Sequence, residues 1–219
     1  MMFLNRIDAG RILAGHLRSY ADRDDVVVLA VPRGGVPVAL EVAAALHAPW
    51  DVFVLRKLGV PWQQELAFGA IASGGVRFLD NQVIESLDLS GPEIERVAAR
   101  EQKELERRET VYRGGKPPLN LKRQTVILVD DGIATGSSMR AAISALRRLK
   151  PARLVLAVPV APVSTYYSLR AGVDEFVCVD MPEPFYAIGQ FYEDFSQVTD
   201  QEVCDLLLRS HSVALQKAV

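Results

Sequence analysis

The feature that most constrains the fold of this chain is residues 126–139, which read VILVDDGIATGSSM. The first four are aliphatic without a break, a pattern typical of a strand that is buried on both faces of a parallel sheet. Asp130 and Asp131 follow where such a strand would end, and small or hydroxyl-bearing residues come after them. Residues 139–149 are then predicted to form an amphipathic helix. The stretch therefore predicts a strand, a tight turn and a helix, in that order.

The turn of this unit has the chemistry of a phosphate site. Free backbone N–H groups and the positive end of the helix dipole meet at such a helix N-terminus, and glycines let the backbone approach the anion. Asp130 and Asp131 would repel a phosphate, but they suit the two hydroxyls of a ribose. A phosphate beside a cis-diol is the arrangement of a ribose 5-phosphate. The alternative interpretation is an ordinary strand–helix connection with acidic capping residues.

This pattern resembles the signature of the type I phosphoribosyltransferases, in which four aliphatic residues precede two acidic residues, two aliphatic or small ones, and then Ala or Asp, Thr and Gly. The resemblance implies an enzyme that binds phosphoribosyl pyrophosphate (PRPP). Such an enzyme transfers ribose 5-phosphate to a nitrogen acceptor, for example a nucleobase or a related small molecule, and releases pyrophosphate. Asp130 and Asp131, here called the acidic pair, would hold the ribose hydroxyls and serve catalysis. The 5′-phosphate would lie in the phosphate loop, formed by Ala134, Thr135, Gly136, Ser137 and Ser138.

A second strand–turn–helix unit comes earlier in the chain. A continuous apolar strand is predicted at residues 26–31 and a helix at residues 36–46. Arg33, Gly34 and Gly35 lie between them, so backbone amides and a guanidinium could converge on one anion. Residues 32–35 match the family's pyrophosphate loop, in which one peptide bond is often cis.

A basic pair, Arg56 and Lys57, ends the next predicted strand, residues 51–56. Residues 54–61 resemble the family stretch in which such a pair meets pyrophosphate and leads into a flexible loop that closes over the site. A leaving group with several negative charges needs cations and shielding from water. The alternative for this pair is a solvated strand end.

Strands and helices alternate along the chain, which predicts an α/β fold with an open, twisted, mainly parallel sheet and helices on both faces, Rossmann-like in its architecture. Ligands of such sheets lie at the carboxyl ends of the strands, where the acidic pair, Arg33 and the basic pair are predicted to fall. The other predicted elements are helices at residues 7–23, 163–171 and 199–209, strands at 153–160 and 175–179, and a hairpin with strands at 66–73 and 76–79.

Two segments are additions to this plan within a single domain, residues 1–219. Residues 81–122 are predicted to be a helical insertion that contains a long charged helix at residues 92–112. They exceed what a strand–helix unit needs and are expected to form a dimer contact or part of a lid. Residues 180–198, here called the hood, are rich in aromatic residues and are interrupted by proline and glycine.

The hood is similar to the base-recognising segment of hypoxanthine-type members of the family. That similarity makes Tyr186 the first candidate, and Phe185 the second, to stack on the acceptor. Glu193 or Asp194 would supply the carboxylate that follows. The alternative is that these aromatic residues form a small core of the hood itself.

Two positions depart from the purine-type pattern. Pro159 stands where those enzymes carry a lysine that binds the 6-oxo group, and Ala134 stands where they carry an aspartate near the base. The acceptor is therefore not assigned. If the acceptor needs deprotonation, Glu65 in the mobile loop is the candidate base.

Composition limits the classes of partner. The chain has 219 residues and a net charge of −2, which predicts no general attraction to nucleic acid. Cys178 and Cys204 are too few for a disulfide framework. No apolar run approaches a membrane span and no signal-peptide core is present, so a cytoplasmic protein without a membrane partner is expected.

The resemblance also implies Mg²⁺ held through PRPP and water, with no direct protein ligand, and a homodimer. A non-catalytic PRPP-binding regulatory protein is the alternative function, although no helix-turn-helix extension is visible. A dinucleotide-binding protein is disfavoured because no Gly-x-Gly-x-x-Gly follows the first strand.

Overall fold

The computed structural model describes residues 1–114 and 117–216, without the side chains of residues 64, 65 and 209–216. Within these ranges, strands and helices alternate much as the sequence predicts. The helices are α1 (Arg6–His16), α2 (Gly35–Leu46), α3 (Asn81–Ser86), α4 (Gly91–Arg113), α5 (Ser137–Arg148), α6 (Val163–Leu169) and α7 (Asp200–Gln216). The strands are β1 (Val26–Ala30), β2 (Trp50–Val52), β3 (Leu55–Val60), β4 (Gln63–Ala72), β5 (Val76–Leu79), β6 (Thr125–Val129), β7 (Arg153–Val160) and β8 (Glu175–Asp180).

The central sheet confirms the predicted α/β fold. Its strands are parallel and run in the order β2-β1-β6-β7-β8. Alternate residues of the buried strands face two different cores, as the two-residue period of a strand requires. Residues of α1, α2, α4 and α7 fill one core, and residues of α5 fill the other. Helices therefore cover both faces of the sheet.

Strand register places the two predicted ligand loops side by side. Val26 lies opposite Thr125 and Ala30 lies opposite Val129, so β1 and β6 end at the same level. The backbone N–H of Val31 continues the ladder by donating to the carbonyl oxygen of Val129 at 2.9 Å. The pyrophosphate loop and the acidic pair are thereby brought to one edge of the sheet.

The single strand predicted at residues 51–56 is wrong. The chain leaves the parallel sheet after Val52, and Arg56 and Lys57 lie inside β3, where they pair with Ile71 and Ala70 of β4. Strands β3, β4 and β5 form a separate antiparallel sheet. The sequence does not show where β2 ends, because Phe53 and Val54, which connect the two sheets, are apolar and buried like strand residues. The predicted hairpin is present as β4 and β5, and β4 begins earlier than predicted, at Gln63.

The predicted long helix of the insertion is present as α4. Ser90 and Glu93 form the capping box at its start. Its inner face is buried against β3, β4 and α7, so α4 packs on the chain's own core. At its end, Arg113 pairs with Asp51 of β2 at 2.9 Å, and both side chains are buried.

Smaller differences concern the ends of the chain. Helix α1 stops at His16, short of the predicted residue 23, and a single 3-10 turn, Arg18–Tyr20, follows it. Helix α7 extends past the predicted residue 209 to Gln216. In the part of the chain that the structure describes, no helix combines the length and apolarity that a membrane crossing needs.

Candidate active site

The two glycines of the pyrophosphate loop lie directly against the acidic pair. A Cβ atom on Gly34 would lie 2.0 Å from Oδ2 of Asp131, and one on Gly35 would lie 2.9 Å from Cα of Asp130. Such distances leave no room for a side chain, so glycine is required at both positions. The peptide bond between Pro32 and Arg33 is cis, as the resemblance implies for this loop.

The members of the acidic pair have different surroundings. Asp131 is buried, and its Oδ2 accepts a hydrogen bond from Nε of Arg6 at 2.7 Å. Asp130 faces a cavity at the end of the sheet. Burial raises the pKa of Asp130 well above its usual range, and the neighbouring charge of Asp131 adds to this effect. Burial also raises the pKa of Asp131, although Arg6 opposes that shift. Oδ1 of Asp130 accepts a hydrogen bond from the backbone N–H of Asp131 at 2.9 Å, and Asp130 is the member of the acidic pair that lines the cavity.

Arg6 is a site residue that the sequence does not predict. Its Nη1 donates to the carbonyl oxygen of Ser196 at 2.7 Å, and its guanidinium lies 3.9 Å from the centroid of the Phe195 ring. Arg6 thus ties α1, the hood and the acidic pair together. The available signal is that Arg6 shares the buried face of α1 with Ala9 and Leu13, an unusual place for an arginine.

Tyr192 of the hood also holds the acidic pair. Its hydroxyl donates to the carbonyl oxygen of Asp131 at 2.6 Å, and its ring packs between Phe3 and Phe195. Burial raises the pKa of Tyr192 far above its ordinary value, so this hydroxyl keeps its proton. The aromatic composition of the hood points to this small core, but not to the hydrogen bond.

The phosphate loop borders a cavity of about 240 Å³, here called the ribose-phosphate cavity. Gly136 has a φ of 75° and leads into the first turn of α5, whose N–H groups point toward this end. Thr165 fixes the loop by donating from its hydroxyl to the carbonyl oxygen of Ala134 at 2.5 Å. The predicted site residues that line the cavity are Lys57, Asp130, Ala134, Thr135, Gly136, Ser137 and Ser138.

The predicted cations have separate positions. Lys57 donates from Nζ to Oγ of Ser137 at 2.8 Å, which places its charge on the phosphate loop. Arg56 instead pairs with the buried carboxylate of Glu101 of α4 at 2.6 Å. Arg33 is not among the described residues that line the ribose-phosphate cavity, and its positive charge opposes the rise of the pKa of Tyr112 of α4. Binding of an anion by the Arg33 side chain therefore stays a prediction.

The predicted acceptor residues are not gathered at the cavity. Tyr186 is 83% exposed, whereas Phe185 packs against Phe191 with ring centroids 5.0 Å apart. Glu193 and Asp194 are exposed and do not line the ribose-phosphate cavity. The hood residue that does line it is Ile188, against which the backbone of Gly132 packs.

Two further predictions concern Glu65 and Pro159. The side chain of Glu65, the predicted base, lies outside the described part of the structure. Pro159 is buried near the end of β7 and offers no donor where purine-type enzymes have lysine. Across the residues that the structure describes, no group of three or more His, Cys, Asp or Glu side chains could hold a metal ion.

Comparison with known proteins gives a consistent result. The sequence profile described as "Phosphoribosyl transferase domain" matches residues 4–196. Two Mycobacterium tuberculosis proteins, provisionally named phosphoribosyl transferases, are 44% identical over 210 residues, 96% of this chain and 47% of each relative. The chain thus spans about half the length of these curated relatives. The crystal structure of TT1426 from Thermus thermophilus superposes with a TM-score of 0.86 at 41% identity, covering 95% of this chain and 99% of that one. The chain therefore belongs to the phosphoribosyltransferase family.

Proposed function

We propose that this chain transfers ribose 5-phosphate from PRPP to a nitrogen acceptor and releases pyrophosphate. The observation that supports this proposal most is that Asp130, the phosphate loop and Lys57 surround one cavity of about 240 Å³. A carboxylate accepts hydrogen bonds from ribose hydroxyls, whereas a helix N-terminus binds a phosphate. The two chemistries lie side by side, as they do in ribose 5-phosphate.

The proposed contribution of the protein is positioning and charge stabilisation. The N-terminal turn of α5 would fix the 5′-phosphate, and Asp130 would orient the ribose through its hydroxyls. Lys57 and Arg33 would stabilise the negative charge that develops on the departing pyrophosphate. Asp131 would act indirectly, since Arg6 and Tyr192 hold it as a rigid support for Asp130 and Gly34.

Mg²⁺ is the proposed cofactor. The donor set fits an ion that is carried mainly by the substrate, because Asp130 is the one carboxylate among the described lining residues of the ribose-phosphate cavity. When bound, such an ion neutralises charge on the diphosphate oxygens. A homodimer and a cytoplasmic location are also proposed, and sedimentation velocity would test the homodimer.

The acceptor is proposed only as a class, a nucleobase or a related small molecule with a nucleophilic nitrogen. Tyr186 of the hood is the proposed stacking residue, because its aromatic ring is 83% exposed and offers an open surface to a ligand, although it does not line the ribose-phosphate cavity. Pro159 and Ala134 count against a 6-oxopurine, since neither supplies a polar side chain to the base.

The decisive experiment is a pyrophosphate-release assay with PRPP, Mg²⁺ and a panel of nucleobases and small amines. Release that requires one acceptor and is lost in Asp130→Asn would support the proposal. The alternative function is a PRPP-binding regulator, which is favoured by the same lack of polar acceptor residues. PRPP binding measured by calorimetry, without release for any acceptor, would favour the regulator and contradict the enzyme.

A further inference from the structure

A second cavity, of about 370 Å³, opens beside the first between β3 and α4. Four cationic residues and one acidic residue line this basic cavity, so it carries a clear excess of positive charge. Helix α4 belongs to the insertion, to which the family resemblance assigns no role in binding. The charged lining residues are Arg56, Lys57, Arg100, Glu101 and Arg108.

The basic cavity adjoins the ribose-phosphate cavity. Val31, Leu55, Lys57 and Ser138 line both of them, and Pro32 brings the pyrophosphate loop to the wall of the second. Lys57 lies at the boundary, with its ammonium group on Ser137. A ligand whose ribose 5-phosphate occupied the first cavity could therefore extend an anionic group into the second.

Glu101 organises the cations of this wall. Its buried carboxylate accepts from Arg56 at 2.6 Å and pairs with Arg100 at 2.9 Å, so a strand and a helix present two guanidinium groups together. Guanidinium groups suit the several oxygens of a diphosphate better than an ammonium group does. The Arg56 side chain is 29% exposed and the Arg100 side chain is 66% exposed, so Arg100 is the one more open to a ligand. Arg108 lies two turns further along α4 and pairs with Glu104 at 2.8 Å.

We propose that α4 completes the binding site for the diphosphate group of PRPP and for released pyrophosphate, with Arg100 and Arg108 as binding residues of the helical insertion. This proposal rests on the proposed function. A diphosphate carries several negative charges, whereas Lys57 is the one cationic residue among the described lining residues of the ribose-phosphate cavity. The insertion brings that charge to the site from outside the two strand–turn–helix units.

The chain offers a matched pair of variants, because Arg107 and Arg108 both pair with Glu104 at 2.8 Å. Arg108 lines the basic cavity, whereas Arg107 does not. Arg108→Gln and Arg107→Gln therefore remove the same kind of ion pair, but only the first removes charge from the cavity. Arg100→Gln is a second test from the same helix.

Titration calorimetry with Mg²⁺ would measure three ligands: inorganic pyrophosphate, PRPP and ribose 5-phosphate. Arg108→Gln and Arg100→Gln should each weaken pyrophosphate and PRPP binding about tenfold, the effect of one charge-assisted contact. Ribose 5-phosphate binding should be unchanged in both variants. Arg107→Gln should bind all three ligands like the wild type, and thermal unfolding would show that each variant is folded.

Unchanged pyrophosphate affinity in Arg108→Gln and Arg100→Gln would overturn this inference and leave PRPP binding by the wild type intact. An equal loss of affinity for ribose 5-phosphate and for pyrophosphate would also overturn it, because that result indicates a general change in the fold or in the electrostatic field of the protein. Failure of the wild type to bind PRPP would instead contradict the proposed function, and this inference with it.

Discussion

Arg6 and Asp131 form a buried ion pair in which Nε lies 2.7 Å from Oδ2 and each side chain is 10% exposed. This ion pair joins the first turn of α1 to the residues just after β6, which are 125 positions away in the sequence. Because Arg6 also holds the hood at Ser196, the geometry of the acidic pair depends on the N-terminal helix. The two aspartates therefore have different roles: Asp131 is held by Arg6, whereas Asp130 lines the cavity.

Arg6→Gln is expected to destabilise the fold by about 3–5 kcal/mol at neutral pH, because it leaves Asp131 buried without a compensating charge. The loss should shrink toward acid pH. Without Arg6, the raised pKa of Asp131 rises further, so the carboxyl is neutral in the folded variant at low pH and the charge is no longer buried. Urea unfolding at pH 5 and pH 8 would measure the difference.

The control for this variant is Arg11→Gln on the same helix. Arg11 pairs with Glu41 at 2.9 Å, but its side chain is 70% exposed, so the expected cost is at most about 1 kcal/mol. Equal costs for the two variants would show that the Arg6 pair is not buried in solution.

Asp130→Asn and Asp131→Asn are expected to change stability in opposite directions. Asp130→Asn removes a carboxyl group that burial disfavours in its ionised form, so the free energy of unfolding at neutral pH should rise. PRPP binding should weaken about tenfold or more. Asp131→Asn leaves the buried guanidinium of Arg6 without its carboxylate and should lower the free energy of unfolding by about 3 kcal/mol. Thermal unfolding and PRPP calorimetry on both variants would check this, and matching stability changes would contradict the division of roles.

PRPP affinity is expected to depend on pH through Asp130. The pKa of Asp130 is raised, so the carboxylate gains a proton as the pH falls through a value well above that of an ordinary aspartate. Affinity should therefore be greatest at high pH and fall toward acid, since a neutral carboxyl accepts ribose hydroxyls less strongly. The free energy of unfolding depends on pH in the opposite direction. It should fall as the pH rises, because burial makes the ionised form of Asp130 costly in the folded state. Calorimetry against pH would follow the first effect, and Asp130→Asn should flatten it.

Much of the fold is predictable from local pattern. The apolar runs of β1, β6 and β7, the glycines after β1 and the capping box of α4 each determine local structure by chemistry that short stretches carry. The change of sheet after Val52 is not predictable in this way, because Phe53 and Val54 continue the apolar run while the backbone turns away. A buried linker and a buried strand have the same composition.

In the candidate site, too, the residues that are adjacent in sequence are predictable and the distant ones are not. Asp130 and the phosphate loop are contiguous in sequence, so their grouping is visible without a structure. Arg6 and Tyr192 contact Asp131 from positions 125 and 61 residues away, and such contacts cannot be predicted from short sequence patterns. Arg56 shows the converse, since its sequence position suggests a free cation and Glu101 of α4 pairs with it.

Gly34→Ala is expected to disrupt the site and cost about 1–3 kcal/mol or more, because its Cβ would lie 2.0 Å from Oδ2 of Asp131. Moving that carboxylate also disturbs the pair with Arg6, so PRPP binding should fall as well. Gly15→Ala is the matched control. It lies within α1 with no atom within 4 Å of an added Cβ, so it should be neutral or stabilise the protein by about 0.5–1 kcal/mol. Urea unfolding of both variants would measure this, and a Gly34→Ala protein as stable as the wild type would exclude the close contact.

The hood provides the last prediction, because its two neighbouring aromatic residues have contrasting environments. Tyr186→Ala removes a ring that is 83% exposed and should change the free energy of unfolding by no more than about 0.5 kcal/mol. Phe185→Ala removes a ring that packs on Phe191 and should destabilise, though by less than the about 3–5 kcal/mol of a fully buried phenylalanine. If Tyr186 stacks on the acceptor, its variant should raise KM for any acceptor that supports pyrophosphate release and leave KM for PRPP unchanged. Steady-state kinetics with both substrates varied would decide, and an unaltered acceptor KM in Tyr186→Ala would remove this residue from the acceptor site.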